Sequence, residues 1–142
     1  MQATKLKMGF CAQENNLPSS LTVSELINLF SSLLHSGQDD KNEKEKYRED
    51  LLERLSLTGH LGSQYGSLSI GVKRKVGLLL ALVNKPELIL LDEPVAGLDD
   101  ASQKEFWGIL GQLRGVHTMV VITHNITPAQ DTADYCAILH RG

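Results

Sequence analysis

The stretch Leu88-Ile89-Leu90-Leu91-Asp92-Glu93-Pro94-Val95-Ala96-Gly97-Leu98-Asp99 decides how this chain reads. It opens with four consecutive apolar residues. A run that short and that apolar reads as a strand buried on both faces, as in a parallel sheet. Two carboxylates follow at its C-terminal end, where open α/β sheets place their ligand chemistry. Pro94 has no N–H to give a ladder and stops the strand, and Gly97 supplies a turn. At such a tip Asp92 can hold a hard cation such as Mg²⁺, directly or through water. Glu93 can orient or deprotonate a water that attacks a phosphate. An apolar strand that merely ends in acids at a turn has the same residues, so the stretch alone leaves both readings open.

Composition narrows the field. A chain of 142 residues suits one domain or a piece of a larger one. The apolar fraction of 42% and charged fraction of 22% are those of a soluble globular protein. A net charge of −3 gives no electrostatic support to nucleic acid or an anionic membrane as main partner. Cys11 and Cys136 both lie in apolar, strand-like segments and are expected as buried thiols in a reducing compartment. No apolar run approaches the ~18 residues of a membrane span, and the N-terminus lacks the apolar core of a signal peptide.

Around the central stretch the pattern is one of helices and short strands. Residues 8–12 read as a strand ending at Gln13. Thr22 and Glu25 form a capping box, and Val23, Leu26, Ile27, Phe30, Leu33 and Leu34 follow as one helical stripe, which Gly37 can end. Asp39 or Asp40 can cap a second helix, polar over 41–50 and apolar on one side through Tyr47, Leu51, Leu52 and Leu55. Residues 58–67 read as a loop. Ser69 can cap a long apolar helix that ends near Asn84 and Pro86. Asp99 or Asp100 caps the next, with Phe106, Ile109, Leu110 and Leu113 facing the core and Gly115 after its end. Met119–Ile122 reads as a second buried strand with Thr123 and His124 at its tip. Thr127 to Gln130 reads as another capping box with Pro128 at the first helical position, and a last strand is expected over 136–139.

Leu90-Leu91-Asp92-Glu93-Pro94 followed by Ala96-Gly97-Leu98-Asp99 resembles the Walker B motif and D-loop of ATP-binding-cassette (ABC) transporter ATPases. The resemblance runs from about Met8 to Leu139. Gln13 resembles the Q-loop glutamine, and Thr123-His124 resembles the H-loop. Leu68-Ser69-Ile70-Gly71-Val72 resembles the signature Leu-Ser-Gly-Gly-Gln, with Ile70 and Val72 departing from it. The family's fold implies an α/β P-loop NTPase (RecA-like) core with a partial parallel sheet and an inserted α-helical subdomain. Residues 1–14 and 86–142 would form the core and 15–85 the helical subdomain with its signature helix. Within that sheet the strands ending at Gln13, Asp92 and His124 would be neighbours, and the strand at 136–139 would lack a partner.

The resemblance also implies roles. Glu93, His124 and Gln13 would be catalytic, and Asp92 with Gln13 would hold Mg²⁺. Ser69, Gly71 and Asp99 would face ATP bound by a second nucleotide-binding domain. A transporter's transmembrane domain would be the other partner, with no nucleic acid, which places the chain in the cytoplasm, peripheral to a membrane. Phosphate binding needs Gly-x-x-x-x-Gly-Lys-[Ser/Thr], and no Gly-Lys pair occurs in these residues. The chain is therefore expected to be the C-terminal portion of a nucleotide-binding domain, without Walker A. The resemblance implies two competing functions: an ATP-hydrolysing segment that powers transport once the Walker A half is supplied, or a degenerate, non-catalytic interaction and coupling module. A chromosome-maintenance ATPase is a weaker third reading, because it would carry a coiled coil where residues 22–57 read as two short helices.

Overall fold

The computed structural model describes residues 8–14, 16–33 and 41–140. They form three strands, β1 (Met8–Cys11), β2 (Leu88–Asp92) and β3 (Thr118–Ile122), and five α-helices. The helices are α1 (Val23–Leu33), α2 (Lys41–Arg54), α3 (Ile70–Leu82), α4 (Asp100–Leu113) and α5 (Ile126–Thr132). Two single 3₁₀ turns, Thr58–His60 and Tyr65–Ser67, occupy the expected loop. The sheet is parallel in the order β1-β2-β3, so the three strands expected as neighbours are neighbours. Leu90 sits between Phe10 and Val120, and Asp92 pairs with Ile122.

Capping chemistry starts the helices. Thr22 and Glu25 close a reciprocal box: the Glu25 carboxylate accepts from the Thr22 N–H at 2.8 Å and the Thr22 hydroxyl accepts from the Glu25 N–H at 3.2 Å. The Thr22 N–H first, and then the Thr22 hydroxyl, hold the Glu25 carboxyl below its usual range. Ser69 accepts from the Val72 N–H at 3.3 Å, and Asp99 from the Ser102 N–H at 2.9 Å. In α1 the buried stripe is Val23, Leu26 and Ile27; Leu33, expected inward, is exposed. Leu34, Gly37, Asp39 and Asp40 lie outside the described residues. The inner side of α2 is as read, with Leu51, Leu52 and Leu55 buried and Tyr47 half-buried.

One face of the sheet is closed by α3. Gly9 permits the closest approach, since a β-carbon there would stand 2.2 Å from the Ala81 carbonyl oxygen. Cys11, Ile89 and Leu91 point to this side and join Leu78, Leu79, Leu82, Phe106 and Leu110 in a single core. The opposite face is open: Met8, Phe10, Val120 and Ile122 are exposed and Leu88 and Leu90 half-buried. The expectation of strands buried on both faces therefore holds for one face only, because no described element covers the other.

Two further expectations are corrected at the C-terminal end. α5 begins at Ile126 after Asn125, with no side-chain cap bond, so Thr127 and Pro128 lie inside its first turn instead of capping it. Residues 136–139 form no strand and stand exposed, with Ile138 and Leu139 turned to solvent. A four-residue segment with no edge to pair against has nothing to order it. Cys136 shares that exposure, while Cys11 is buried as expected.

Candidate functional site at the carboxyl ends of the strands

The parallel sheet delivers Gln13, Asp92, Glu93 and His124 to its carboxyl edge, just beyond β1, β2 and β3. Glu93 is the best-determined of the set. Its N–H donates to the Ile122 carbonyl at 2.8 Å, which continues the β2–β3 ladder one residue past Asp92. Its backbone then turns into the left-handed region at φ +44°, an uncommon conformation for a residue with a β-carbon. That turn aims the carboxylate at His124. The imidazole Nδ1 lies 2.9 Å from Glu93 Oε1, and the His124 N–H donates to the same oxygen at 3.1 Å. The second oxygen, Oε2, is buried and has no partner.

The valences follow. An ionised carboxylate only accepts, so His124 Nδ1 carries the proton of this bond. The His124 side chain is 83% exposed and the Glu93 side chain 18%. Nε2 is thus open to whatever occupies the strand tips, while Glu93 Oε2 is a desolvated acceptor awaiting a donor. A buried oxygen left unsatisfied costs about 1–3 kcal/mol and is a good seat for a water proton.

Asp92 and the Gln13 amide supply hard oxygens from adjacent strand tips. No group of three or more His, Cys, Asp or Glu that could hold a metal exists among the described residues. Two oxygen donors fit Mg²⁺ that takes its remaining ligands from phosphates and water, and do not fit a transition metal held by the protein alone.

Ser69, Gly71 and Asp99 gather elsewhere, at the starts of α3 and α4. A hollow of about 120 Å³ is lined there by Ser69, Gly71, Leu98 and Ser102. Asp99 takes both the Ser102 N–H and, at 3.0 Å, its hydroxyl. Those bonds hold its carboxyl below the usual range, the N–H contributing most. Ile70, the residue that departs from the signature, is exposed and leans on Gly97: a β-carbon on Gly97 would lie 3.2 Å from Ile70 Cδ1. A larger groove of about 570 Å³ between α4 and α5 holds none of these candidates.

The model of the ABC transporter family matches residues 1–96. The chain belongs to the ABC transporter family. It is similar along its whole length to human ATP-binding cassette sub-family A member 13, at 32% identity over 142 residues, and covers 3% of that protein. It is 33% identical to the bovine retinal-specific phospholipid-transporting ATPase ABCA4, again over its whole length and 6% of the relative's. Among solved structures it resembles the dimeric bacterial ABC transporter cassette MJ0796 with a TM-score of 0.73 and 30% identity, over 88% of this chain and 55% of that one. The same cassette in a post-hydrolysis state bound to ADP and Pi gives a TM-score of 0.72. The fold is thus that of the ABC ATPase P-loop domains, and the chain spans a few per cent of its curated relatives and about half of the cassettes.

Sequence reasoning reached the strand-tip residues and passed over two others. Arg74, one of the basic residues after the signature-like stretch, contacts the loops on both sides of the site, and that basic run was its only signal. His117, at the opposite end of β3, sits between Tyr47 and the Pro86 carbonyl; nothing in its neighbours' sequence marked it.

Proposed function

We propose that this ABC family chain is the part of an ATP-hydrolysing cassette that handles the attacking water, and that it powers transport in the complete protein. The observation that carries the reading is the Glu93–His124 pair, held by an uncommon backbone turn with a buried carboxylate oxygen left over. In this reading Gln13 is the Q-loop glutamine, Asp92-Glu93 closes Walker B, Asp99 belongs to the D-loop and His124 to the H-loop. ATP is the substrate. Mg²⁺ held by Asp92 and Gln13 would neutralise charge on the phosphates.

Glu93 accepts a proton of the water through Oε2 and fixes the imidazole through Oε1. His124, with Nδ1–H given to Glu93, has Nε2 for the other side of the reaction. On the neutral ring it accepts a water proton, and on the imidazolium it donates to a phosphate oxygen. Ser69 and Gly71 face the nucleotide of a second cassette, and residues 15–85 form the helical subdomain that meets a transmembrane partner on the cytoplasmic side of a membrane. No described helix is long and apolar enough to cross a membrane itself. The relatives include a phospholipid-transporting ATPase, which supports a lipid as cargo of the complete protein.

One observation favours the non-catalytic reading for the signature half alone: Ile70, which stands where the resembled signature has a glycine, packs its side chain over Gly97. Calorimetry on the isolated chain tests where phosphate binding lies. Because no Gly-Lys phosphate loop lies in its 142 residues, Mg-ATP is expected to bind weakly or not at all. A dissociation constant in the micromolar range or better overturns the assignment of phosphate binding to residues outside this chain.

A further inference from the structure

Three consecutive basic residues open the second turn of α3, beside the candidate site: Lys73, Arg74 and Lys75. A basic triplet beside a nucleotide site invites a phosphate-binding role, yet each side chain is already used. Lys73 donates to the Gly66 carbonyl at 3.2 Å and lies over the Tyr65 ring. Lys75 pairs with Glu105 of α4 at 2.6 Å. Arg74 alone turns toward the strand tips. One guanidinium nitrogen, Nη1, donates to the Gln13 carbonyl, and the other, Nη2, donates to the Ala96 carbonyl at 2.8 Å. Its Nε is buried without a partner, so that end of the head group is withdrawn from water.

The two acceptors lie on different segments, one after β1 and one in the turn after Glu93. A planar fork with fixed spacing between its donors sets the distance between them as a point charge on a flexible stem does not. Arg74 holds Gln13 by its backbone carbonyl and makes no bond to its side-chain amide. Ile70, four residues earlier on the same face of α3, presses on Gly97, next to Ala96. One face of α3 therefore holds the segment that follows Glu93 at two adjacent residues and the Gln13 segment at one.

We propose that Arg74 is a positioning residue that locks the Gln13 and Ala96 segments into one unit with α3, so that movement of α3 moves both loops together. The link to turnover rests on the ATPase reading above; the tie itself does not.

The test uses Arg74→Met and Arg74→Lys in the complete protein that contains this chain. Hydrogen exchange follows residues 13–14 and 96–98 against residues 76–82 of α3, and steady-state kinetics separates kcat from KM for ATP. In Arg74→Met, exchange is expected to rise roughly tenfold in both segments at once, the loss of charge-assisted bonds from a withdrawn donor. α3 itself keeps its protection, because the aliphatic stem stays. kcat falls with KM for ATP unchanged, and Arg74→Lys, which keeps charge but loses the fork, lies between. Loosening of only one segment, or of α3 along with them, overturns the tie. Loosening of both with kcat unchanged shows a strut with no hold on the chemistry and overturns the positioning role. If the unmodified protein turns over no ATP, the ATPase reading fails, and the exchange result still decides whether Arg74 ties the two segments.

Discussion

Two histidines bracket β3, and they have opposite fates. His117 precedes the strand and reaches across to the residue that leads into β2: its Nδ1 lies 3.1 Å from the Pro86 carbonyl. A carbonyl only accepts, so that nitrogen carries the proton, and Nε2 of the neutral ring accepts from the Tyr47 hydroxyl at 3.1 Å. Every polar atom of that ring has a protein partner. His124 follows the strand and also reaches across to β2's end, but onto a carboxylate, with its second nitrogen open to solvent. The same side chain, on the same pair of strands, is a strut at one end and, in the proposed function, a reagent at the other. What separates them is whether the far nitrogen is spoken for, and whether the partner can take up a proton.

The sharpest way to break that contrast is Glu93→Gln in the complete protein. It keeps the shape and removes the base, so turnover is expected to fall roughly 10²–10⁴-fold while ATP stays bound. Unchanged turnover would remove Glu93 from the chemistry and His124 with it. His124→Ala comes next, with a loss of roughly ten- to a hundredfold in kcat. Because the side chain is exposed, the melting temperature of that variant is expected to stay put. His117→Ala should do the reverse, costing about 1–3 kcal/mol of stability by orphaning the Pro86 carbonyl and the Tyr47 hydroxyl. Its folded fraction keeps a normal turnover. Exchanged phenotypes between the two histidine variants would show that the assignment of strut and reagent is inverted.

A smaller effect lies in Tyr47. Burial first, then the neighbouring Asp50, pushes its phenol up to about 12. An unfolded tyrosine ionises near pH 10. The stability that this group contributes is therefore complete below about pH 10 and is lost as pH rises through 12. Denaturation midpoints across that window should decline in the parent chain and decline less in Tyr47→Phe, which costs about 1 kcal/mol at neutral pH. Equal slopes in the two would show that burial does not hold the Tyr47 phenol in its neutral form.

The contrast also marks what could be read from the sequence. The caps were legible because they are local: Thr22 with Glu25, Ser69 and Asp99 each need only residues three positions on. The inner faces of α2 and α4 were legible because helical spacing leaves one solution, with Phe106, Ile109, Leu110 and Leu113 all buried. The strand order followed from the family resemblance; it set Glu93 and His124 at neighbouring tips, and the bond between them came only with the structure. Three features were not legible. An apolar run does not say whether anything covers a sheet face, so Val120 and Ile122 read as buried and stand exposed. Thr127–Gln130 has the letters of a capping box, but the chain leaving Asn125 is already helical at Ile126. Cys136–Leu139 has strand composition, and composition cannot supply the neighbour that makes a strand.

The open sheet face has a practical consequence for anyone who handles the chain by itself. Met8, Phe10, Val120 and Ile122 form an oily patch on a molecule whose net charge is only −3. From its sequence the chain is expected to pass through zero net charge near pH 5.9. Mildly acidic buffer thus removes the colloidal repulsion just where the patch favours self-association. Solubility is expected to reach its minimum somewhat below neutrality, so light scattering at high concentration should be lowest in alkaline buffer of low salt.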